Sequence, residues 1–552
     1  MRTLRLASLA VFLVGGGCSF LLSTAEPSQC SSQRDCDAEP AFRDRICREG
    51  FCVVPAAKVD PVSTDSGPGC VSSQLCTQAN SGKASVCKKA GGACTPWVTP
   101  QCPTIRGAWA DPNAIVIGSL QPFSVKQANG QFAKVEYAER VQRAIDLGLD
   151  ELTAAAPTGI AVPGGPHRPF AVLHCDSSYD LALARAAMSH LTEVVGAQAI
   201  IVGADQDLAA VSAQAAEKKT AIACSDCVAP FPPGAIAWRI VPPLALEAPM
   251  VAWRVSELET TIKAGPTPPA VLRVAVLATP EPAPSAFISA LIAKLRFNNK
   301  SVVENGASFT VVTTEDVTKQ AVNYGAHADT LASFAPDVLV VAMGAEFPAH
   351  YLQLIEAKWP AGKPRPYYVM TALNFEVAPF VSVLGPADED LRKRLSGARP
   401  GFDQALQDNI DSYSLRYKQA NNFKAPDGNF SGYDAFYSMA YAIAAASTQL
   451  LLDGPHISAG FERLGAGTVI DLGPAQLGLA IAILGGPAGT INARGLLSHL
   501  DWNVTTRELV VPDSSLYCFQ RDAGGGLVIK HDAGPRFTNS TGLVSGTTYS
   551  CD

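Results

Sequence analysis

Two cysteines three residues apart, Cys224-Ser-Asp-Cys227, have the C-x-x-C spacing of thiol-disulfide exchange. That chemistry needs the first thiol at a helix amino terminus, where its pKa falls. Here the pair follows an apolar run, Thr220-Ala-Ile-Ala223, and precedes Val228-Ala-Pro-Phe-Pro-Pro233, a poor helix start. The spacing predicts a structural disulfide that stiffens a loop rather than a redox dithiol. The sequence has no G-x-S-x-G elbow, no G-x4-G-K-[ST] phosphate loop and no H-E-x-x-H zinc helix. Eight histidines are scattered without metal-ligand spacing, and His174, ending an apolar run, reads as a polar core residue. Asp522-Ala-Gly-Gly-Gly526 reads as a hairpin turn rather than a phosphate cradle. The expectation is therefore a protein that is not an enzyme and uses no metal and no cofactor.

The remaining cysteines carry architecture. Ten of the 15 fall within residues 18–102. Cys30, Cys36, Cys47 and Cys52 follow C-x5-C-x10-C-x4-C, and Cys70, Cys76, Cys87 and Cys94 repeat it as C-x5-C-x10-C-x6-C. Modules of this length cannot fold on an apolar core alone, so disulfides are expected, at about 30–52 and 70–94, with a linker over 55–69. A metal site is disfavoured because no histidine lies among them. Cys518 and Cys551 are expected to staple the C-terminal tail to the last strand, which leaves Cys102 and Cys175 as partners of something else.

A net charge of -7 argues against nucleic acid as a partner. Arg2, Arg5 and the apolar run Leu6–Val14 read as an export signal, too short to span a bilayer. Gly15-Gly-Gly-Cys18 resembles the lipobox of bacterial lipoproteins, with glycine where leucine is usual at Gly15. The resemblance implies lipidation at Cys18, the alternative being ordinary cleavage near Ala25. Ser19 then favours an outer-membrane anchor over an inner-membrane one.

From Ala114 onward short β-branched runs alternate with helix-spaced apolar residues. Ala114–Leu120, Phe170–His174, Ala199–Val202, Thr220–Ala223 and Ile236–Ile240 read as strands. Ala138, Val141, Ile145, Leu149 and Leu152 mark one helix face, and a second helix, capped by Ser178, carries Leu181 to Val195. The series restarts at Leu272–Leu277, Phe309–Thr313, Val338–Ala342 and Tyr367–Thr371, with a helix at Phe287–Leu295. Strand–helix–strand order at this interval makes a parallel sheet. The fold class is α/β, as two Rossmann-like lobes.

At this point the chain resembles the type I periplasmic binding proteins, the leucine/isoleucine/valine-binding and amide-receptor group. The resemblance rests on Ile115–Leu120 with Gln121-Pro-Phe-Ser124, Phe170–Asp176, Ala199–Gly203, Ile236–Pro243 and the helix Gly432–Ile443 with its Tyr-Asp-Ala motif. It implies a module over 106–535 with a multi-strand hinge. Lobe 1 is expected at 110–245 plus 390–455, lobe 2 at 246–389 plus 456–535, and 536–552 as a tail. The Cys-rich segment would fill 19–105 after a signal at 1–18.

In such a fold the ligand sits at the carboxyl ends of the strands. Carried over by position, the cleft residues are Ser124, Asn129, Asp205, Gln206, Asp207, Ser225, Asp226, Glu281, Glu346, Phe347 and Asn374. Asp205-Gln-Asp207 stands where a hydroxyl is usual, and Pro280-Glu-Pro-Ala-Pro284 where tyrosine-glycine is usual. Acidic groups there oppose a ligand carboxylate. The expected ligand is an amino acid, an amide or another polar solute, with a cationic, amide or sugar-like one at least as compatible. The leading expectation is a solute-binding lipoprotein for sensing or transport, with a permease or another envelope protein as partner. The alternative is an interaction lipoprotein with a degenerate cleft.

Overall fold

The computed structural model describes residues 32, 46–48, 51–53, 70–87, 92–126, 131–161, 165–231, 236–316, 320–400, 404–422, 425, 430–448, 452–497, 499–509, 513–531, 533–538, 541–546 and 548–551. Contacts divide the chain into residues 1–68 and 69–552. In the first unit Ile46–Arg48 pairs antiparallel with Phe51–Val53, setting Cys47 opposite Cys52. The expected signal, Cys18, the linker 55–69 and the disulfides of the first module lie outside the described residues.

The second unit opens with the second cysteine module. Ser72 caps the helix Ser73–Ala79 by accepting from the Leu75 amide. A hairpin pairs Ser85–Val86 with Thr95–Pro96. Disulfides Cys70–Cys87 and Cys76–Cys94 hold this piece, in which few side chains are buried.

The first lobe is a six-stranded sheet built from β1 (Thr104–Gly107), β2 (Ile115–Gln121), β3 (Phe170–Asp176), β4 (Ala199–Val202), β5 (Ala221–Cys224) and β6 (Ala237–Arg239). Its order is β6-β5-β4-β2-β3-β1, parallel except for β1 at the edge. β2 is buried on both faces, as its run of β-branched residues demands. Helix α1 (Glu136–Ala155) turns Val141, Ile145, Leu149 and Leu152 inward. Helix α2 (Asp205–Lys218) follows β4 directly.

The second lobe contains β7 (Val274–Ala278), β8 (Phe309–Thr313), β9 (Val338–Ala342), β10 (Tyr367–Met370), β11 (Leu395–Pro400), β12 (Ser514–Arg521), β13 (Leu527–Lys530), β14 (Arg536–Thr538) and β15 (Leu543–Ser545). The order is β8-β7-β9-β10-β11-β12-β14-β15, with β13 paired to β12. β7 to β11 run parallel and the last strands antiparallel. The hairpin between β12 and β13 turns at Asp522–Gly526, as the sequence predicts. The chain thus passes between lobes after β6, after β11 and before β12.

Four expectations change. The stretch 456–509 packs with the first lobe, not the second. Helix α3 (Ser431–Ala446) is buried along its whole length, and α4 (Gly454–Phe461) and α5 (Pro474–Leu484) cover it with Ile457, Phe461, Leu477 and Ala480. The last crossing therefore lies near 510, not 455, because α3 has too much apolar surface to leave one side uncovered. Arg536–Thr538 and Leu543–Ser545 are strands of the second sheet, not a separate tail, and Cys518–Cys551 fastens this end of the chain. Cys102 and Cys175 bond to each other, across the pairing of β1 with β3. The helix Leu181–Ser189 is capped by Asp180, not Ser178; Asp180 accepts from the amides of Ala182 and Leu183.

Gly460 reports on the corrected boundary. A Cβ there would lie 2.1 Å from the carbonyl oxygen of Ala442 in α3. Gly460→Ala is expected to destabilise the first lobe by roughly 1–3 kcal/mol, measured by denaturant unfolding. An unchanged midpoint would detach α4 from α3.

Candidate functional site

Strand order dictates where a ligand would meet each sheet. In the first lobe the winding direction reverses between β2 and β4, and in the second between β7 and β9. Loops part at such switch points, beyond the carboxyl ends of the strands.

On the first lobe β2 ends at Gln121, whose fully buried amide has no hydrogen-bond partner among the described residues. It lies on Gly203, where a Cβ would come within 1.8 Å of its Oε1. Only glycine lets this amide fold over the end of β4. β3 ends at Asp176. One of its oxygens accepts from the Ser178 amide at 2.7 Å and the Ser124 amide at 3.3 Å. The other accepts from the hydroxyls of Ser124 at 2.7 Å and Ser178 at 3.0 Å. This carboxylate braces two successive left-handed residues, Ser178 (φ 51°) and Tyr179 (φ 52°).

Tyr179 is where acidic groups of both lobes converge. Its hydroxyl is pushed up to about 12, first by burial, then by the carboxylates of Asp207, Glu346, Glu281 and Asp205. Two of these follow β4 in the first lobe. Glu281 follows β7 and precedes the helix Pro282–Lys294, and Glu346 follows β9. Both glutamates are exposed and line a small pocket of about 30 Å³ with Thr279, Glu315, Tyr324 and Tyr351.

The other expected cleft residues divide into engaged and inward-facing groups. Asp205 accepts from the amides of Val228 and Ala229 at 3.0–3.2 Å, stapling the loop after β5. Burial nonetheless pushes its carboxyl up to about 6. Asp207, fully buried, accepts from the Ser177 hydroxyl at 2.8 Å and is pushed up to about 7, again by burial. Gln206 donates to the Tyr179 carbonyl. Ser225 donates its amide and hydroxyl to the Val202 carbonyl, and burial pushes Asp226 up to about 7. Phe347 sits in the core of the second lobe against Tyr368, ring centroids 5.7 Å apart. Asn374 is buried and donates to the Met343 carbonyl at 2.6 Å. Asn129 lies outside the described residues. His174 is a buried core histidine bonded to Asp146 at 3.0 Å.

Sequence reasoning missed Tyr179, although Asp176-Ser-Ser-Tyr-Asp180 directly after a strand is a dense cluster of turn residues. It also missed the groups that hold the crossings. Arg239, the last residue of β6, is fully buried and donates to the carbonyls of Cys227 and Ala229, the latter at 2.7 Å, and to the Glu508 carboxylate. Cys224 and Cys227 are disulfide-bonded in the same loop, in line with the structural reading. Glu247, buried just beyond the first crossing, accepts from the Ala372 amide at 2.9 Å and is pushed up to about 8 by burial. Arg140 of α1 reaches Glu376 of the second lobe at 3.0 Å.

No protein-family model matches the chain, and no curated protein matches its sequence. Solved structures do. A solute-binding protein of an ABC transporter from Rhodopseudomonas palustris, in complex with 3,4-dihydroxybenzoic acid, is 12% identical (TM-score 0.53), covering 80% of this chain and 98% of its own. The leucine-binding protein LivK from Thermotoga maritima is 14% identical, covering 76% of this chain and 98% of that one, with a TM-score of 0.51. LivJ from Streptococcus pneumoniae, a branched-chain amino acid transporter substrate-binding protein in complex with isoleucine, is 12% identical over 78% and 99%, TM-score 0.51. At this identity the likeness establishes the fold.

Two predictions follow from the site's charges. Asp205, Asp207, Asp226 and Glu247 all hold protons more tightly folded than their ordinary carboxyl values. Their contribution to stability is full below pH 4 and lost as pH rises through 6–8. Asp207→Asn keeps an acceptor for Ser177 and should flatten the fall in melting temperature between pH 5 and 8; a slope identical to wild type contradicts the assignment. Arg239→Met leaves two buried carbonyls and Glu508 without their donor, and is expected to cost about 3 kcal/mol or more in urea unfolding.

Proposed function

With the type I periplasmic-binding-protein fold as premise, we propose that this chain captures a small polar solute between its lobes without chemically changing it. The observation that carries the reading is that carboxylates following the switch-point strands of both lobes, Asp205 and Asp207 in one and Glu281 and Glu346 in the other, act together with burial to raise the Tyr179 hydroxyl. The side-chain carboxylates of Glu281 and Glu346 are exposed and engage no hydrogen-bond partner among the described residues, unlike those of Asp176 and Asp205, so their acceptor capacity is open to a solute. A solute presenting an ammonium, an amide or several hydroxyls fits this wall. A bare carboxylate does not, because like charges repel most strongly where water is excluded.

Ser124, Gln206 and Asp207 support the wall through the Asp176–Tyr179 turn, and Asp205, Ser225 and Asp226 hold the loop behind it. We place Phe347 and Asn374 as internal supports of the second lobe. The lipobox-like Gly15-Gly-Gly-Cys18 supports a lipid anchor in the cell envelope, with Ser19 favouring the outer membrane. That location suits sensing or scavenging better than delivery to an inner-membrane permease. No helix among the described residues is long and apolar enough to cross a membrane.

Thermal unfolding against putrescine, spermidine, arginine, glutamine, short amides and monosaccharides tests the proposal. A solute at 100 times its Kd should stabilise by about 2.7 kcal/mol. For a cationic solute, Glu281→Gln combined with Glu346→Gln should weaken binding at least tenfold while leaving unliganded stability nearly unchanged. No stabilisation by any of these solutes, with capture of an envelope protein, would favour the interaction-lipoprotein reading.

A further inference from the structure

One cavity among the described residues lies away from the switch-point loops of both lobes. It measures about 290 Å³ and lies at the opposite, amino-terminal edge of the first sheet, where β2 and β4 begin at Ile115 and Ala199. Its volume is at the lower end of the ~300–1,000 Å³ typical of small-molecule sites. One wall is the second cysteine module, through Val86, Cys87 and Trp97; the other is the lobe itself.

Its lining is built rather than incidental. Arg168 is held on the rim: its backbone bridges Ile160 in both directions, and its Nε donates to the Asn113 carbonyl at 2.9 Å. The turn closing that bridge needs Gly159 (φ 85°), since a Cβ there would meet the Arg168 carbonyl oxygen at 1.9 Å. No carboxylate among the described residues pairs with this half-buried guanidinium, and burial lowers its pKa with no opposing charge. Asp111 also lines the cavity, with one oxygen turned to the Asn113 amide at 2.7 Å.

Trp97 is 5% exposed, and its indole N–H has no hydrogen-bond partner among the described residues. Its carbonyl accepts from a ring nitrogen of His190 at 2.7 Å, at the start of a π-helical turn, His190–Val195. That turn ends at Val195 and Gly196, both on the cavity wall. Single π-turns cost hydrogen-bond geometry and recur at functional sites. Besides the polar Gln198, most of the remaining surface is apolar, from Val86, Ile115, Val116, Leu452 and Ile457.

The geometry points to a second small-molecule site, between the cysteine module and the first lobe, for a small monocarboxylate with an apolar aryl or branched alkyl body. The carboxylate pairs with Arg168, in a charge-assisted bond of the kind a planar guanidinium favours. The body packs on the aliphatic wall and Trp97. This preference is opposite in charge to that of the interlobe gap, so one ligand does not serve both sites. Occupancy joins the module to the lobe and stabilises both.

Calorimetric titration of the full chain with phenylacetate and 4-methylpentanoate tests the site, with phenylacetamide as the uncharged control. One equivalent of carboxylate is expected to bind, and the amide at least tenfold more weakly. Arg168→Gln should weaken carboxylate binding at least tenfold. Ala114→Leu, which fills the cavity and leaves Arg168 in place, should do the same. Glu281→Gln with Glu346→Gln should leave it unchanged. Absence of saturable binding by both carboxylates overturns the proposal, as does equal affinity in Ala114→Leu, or loss only in the gap variant. The solute-capture reading stands or falls separately, on the cationic and neutral solutes.

Discussion

A single buried guanidinium organises the place where the chain leaves its first lobe. Arg239 ends β6, grips the carbonyls of Cys227 and Ala229 and meets Glu508 just before the last crossing. The Phe231 ring covers it, 4.0 Å away. The loop it holds lacks one ladder donor at Pro230, which has no N–H. Buried backbone polar groups must find partners elsewhere. Arg239 supplies the donors and Asp205 the acceptor, for the amides of Val228 and Ala229. The disulfide Cys224–Cys227 shortens what remains. The end of β5, the start of α2 and two of the three crossings are thereby fixed as one piece.

That fixed piece makes the gap's chemistry uneven. Acidic side chains on the first lobe are largely consumed in holding loops, and burial raises their carboxyls, Asp205 to about 6 and Asp207 and Asp226 to about 7. Acidic side chains on the second lobe, Glu281 and Glu346, are exposed and engage no loop. Tyr179 links the two sets, lifted into place by a left-handed pair of residues that Asp176 stabilises. A strained turn at such a position is costly, and the side chain it carries is a phenol whose pKa carboxylates of both lobes raise.

The sequence made the parallel strands legible because each is a β-branched run buried on both faces; β4, β8 and β9 match their apolar runs to the residue. It hid β1 and β11, whose runs are broken by Arg106, Gly107, Arg399 and Pro400. Those strands are chosen by partners far along the chain, Cys175 and β12, which periodicity cannot reveal. Within the site, Asp205 and Asp207 were recognisable as acidic residues after a strand, but not as loop staples, since their partners lie at Val228, Ala229 and Ser177. Phe347 is one residue from the exposed Glu346 yet faces the core. A loop's sequence does not say which neighbour turns inward. The boundary after Leu509 was hidden because α3 is buried on every face, a property that fits either lobe until its cover is seen.

A crystal structure of the chain grown with whichever amine, amide or sugar most raises its melting temperature tests the central claim most directly. The account predicts density for that solute between the Tyr179 hydroxyl and the carboxylates of Glu281 and Glu346. Density for it only on the outer surface, or a gap closed by side chains with the solute excluded, would contradict it.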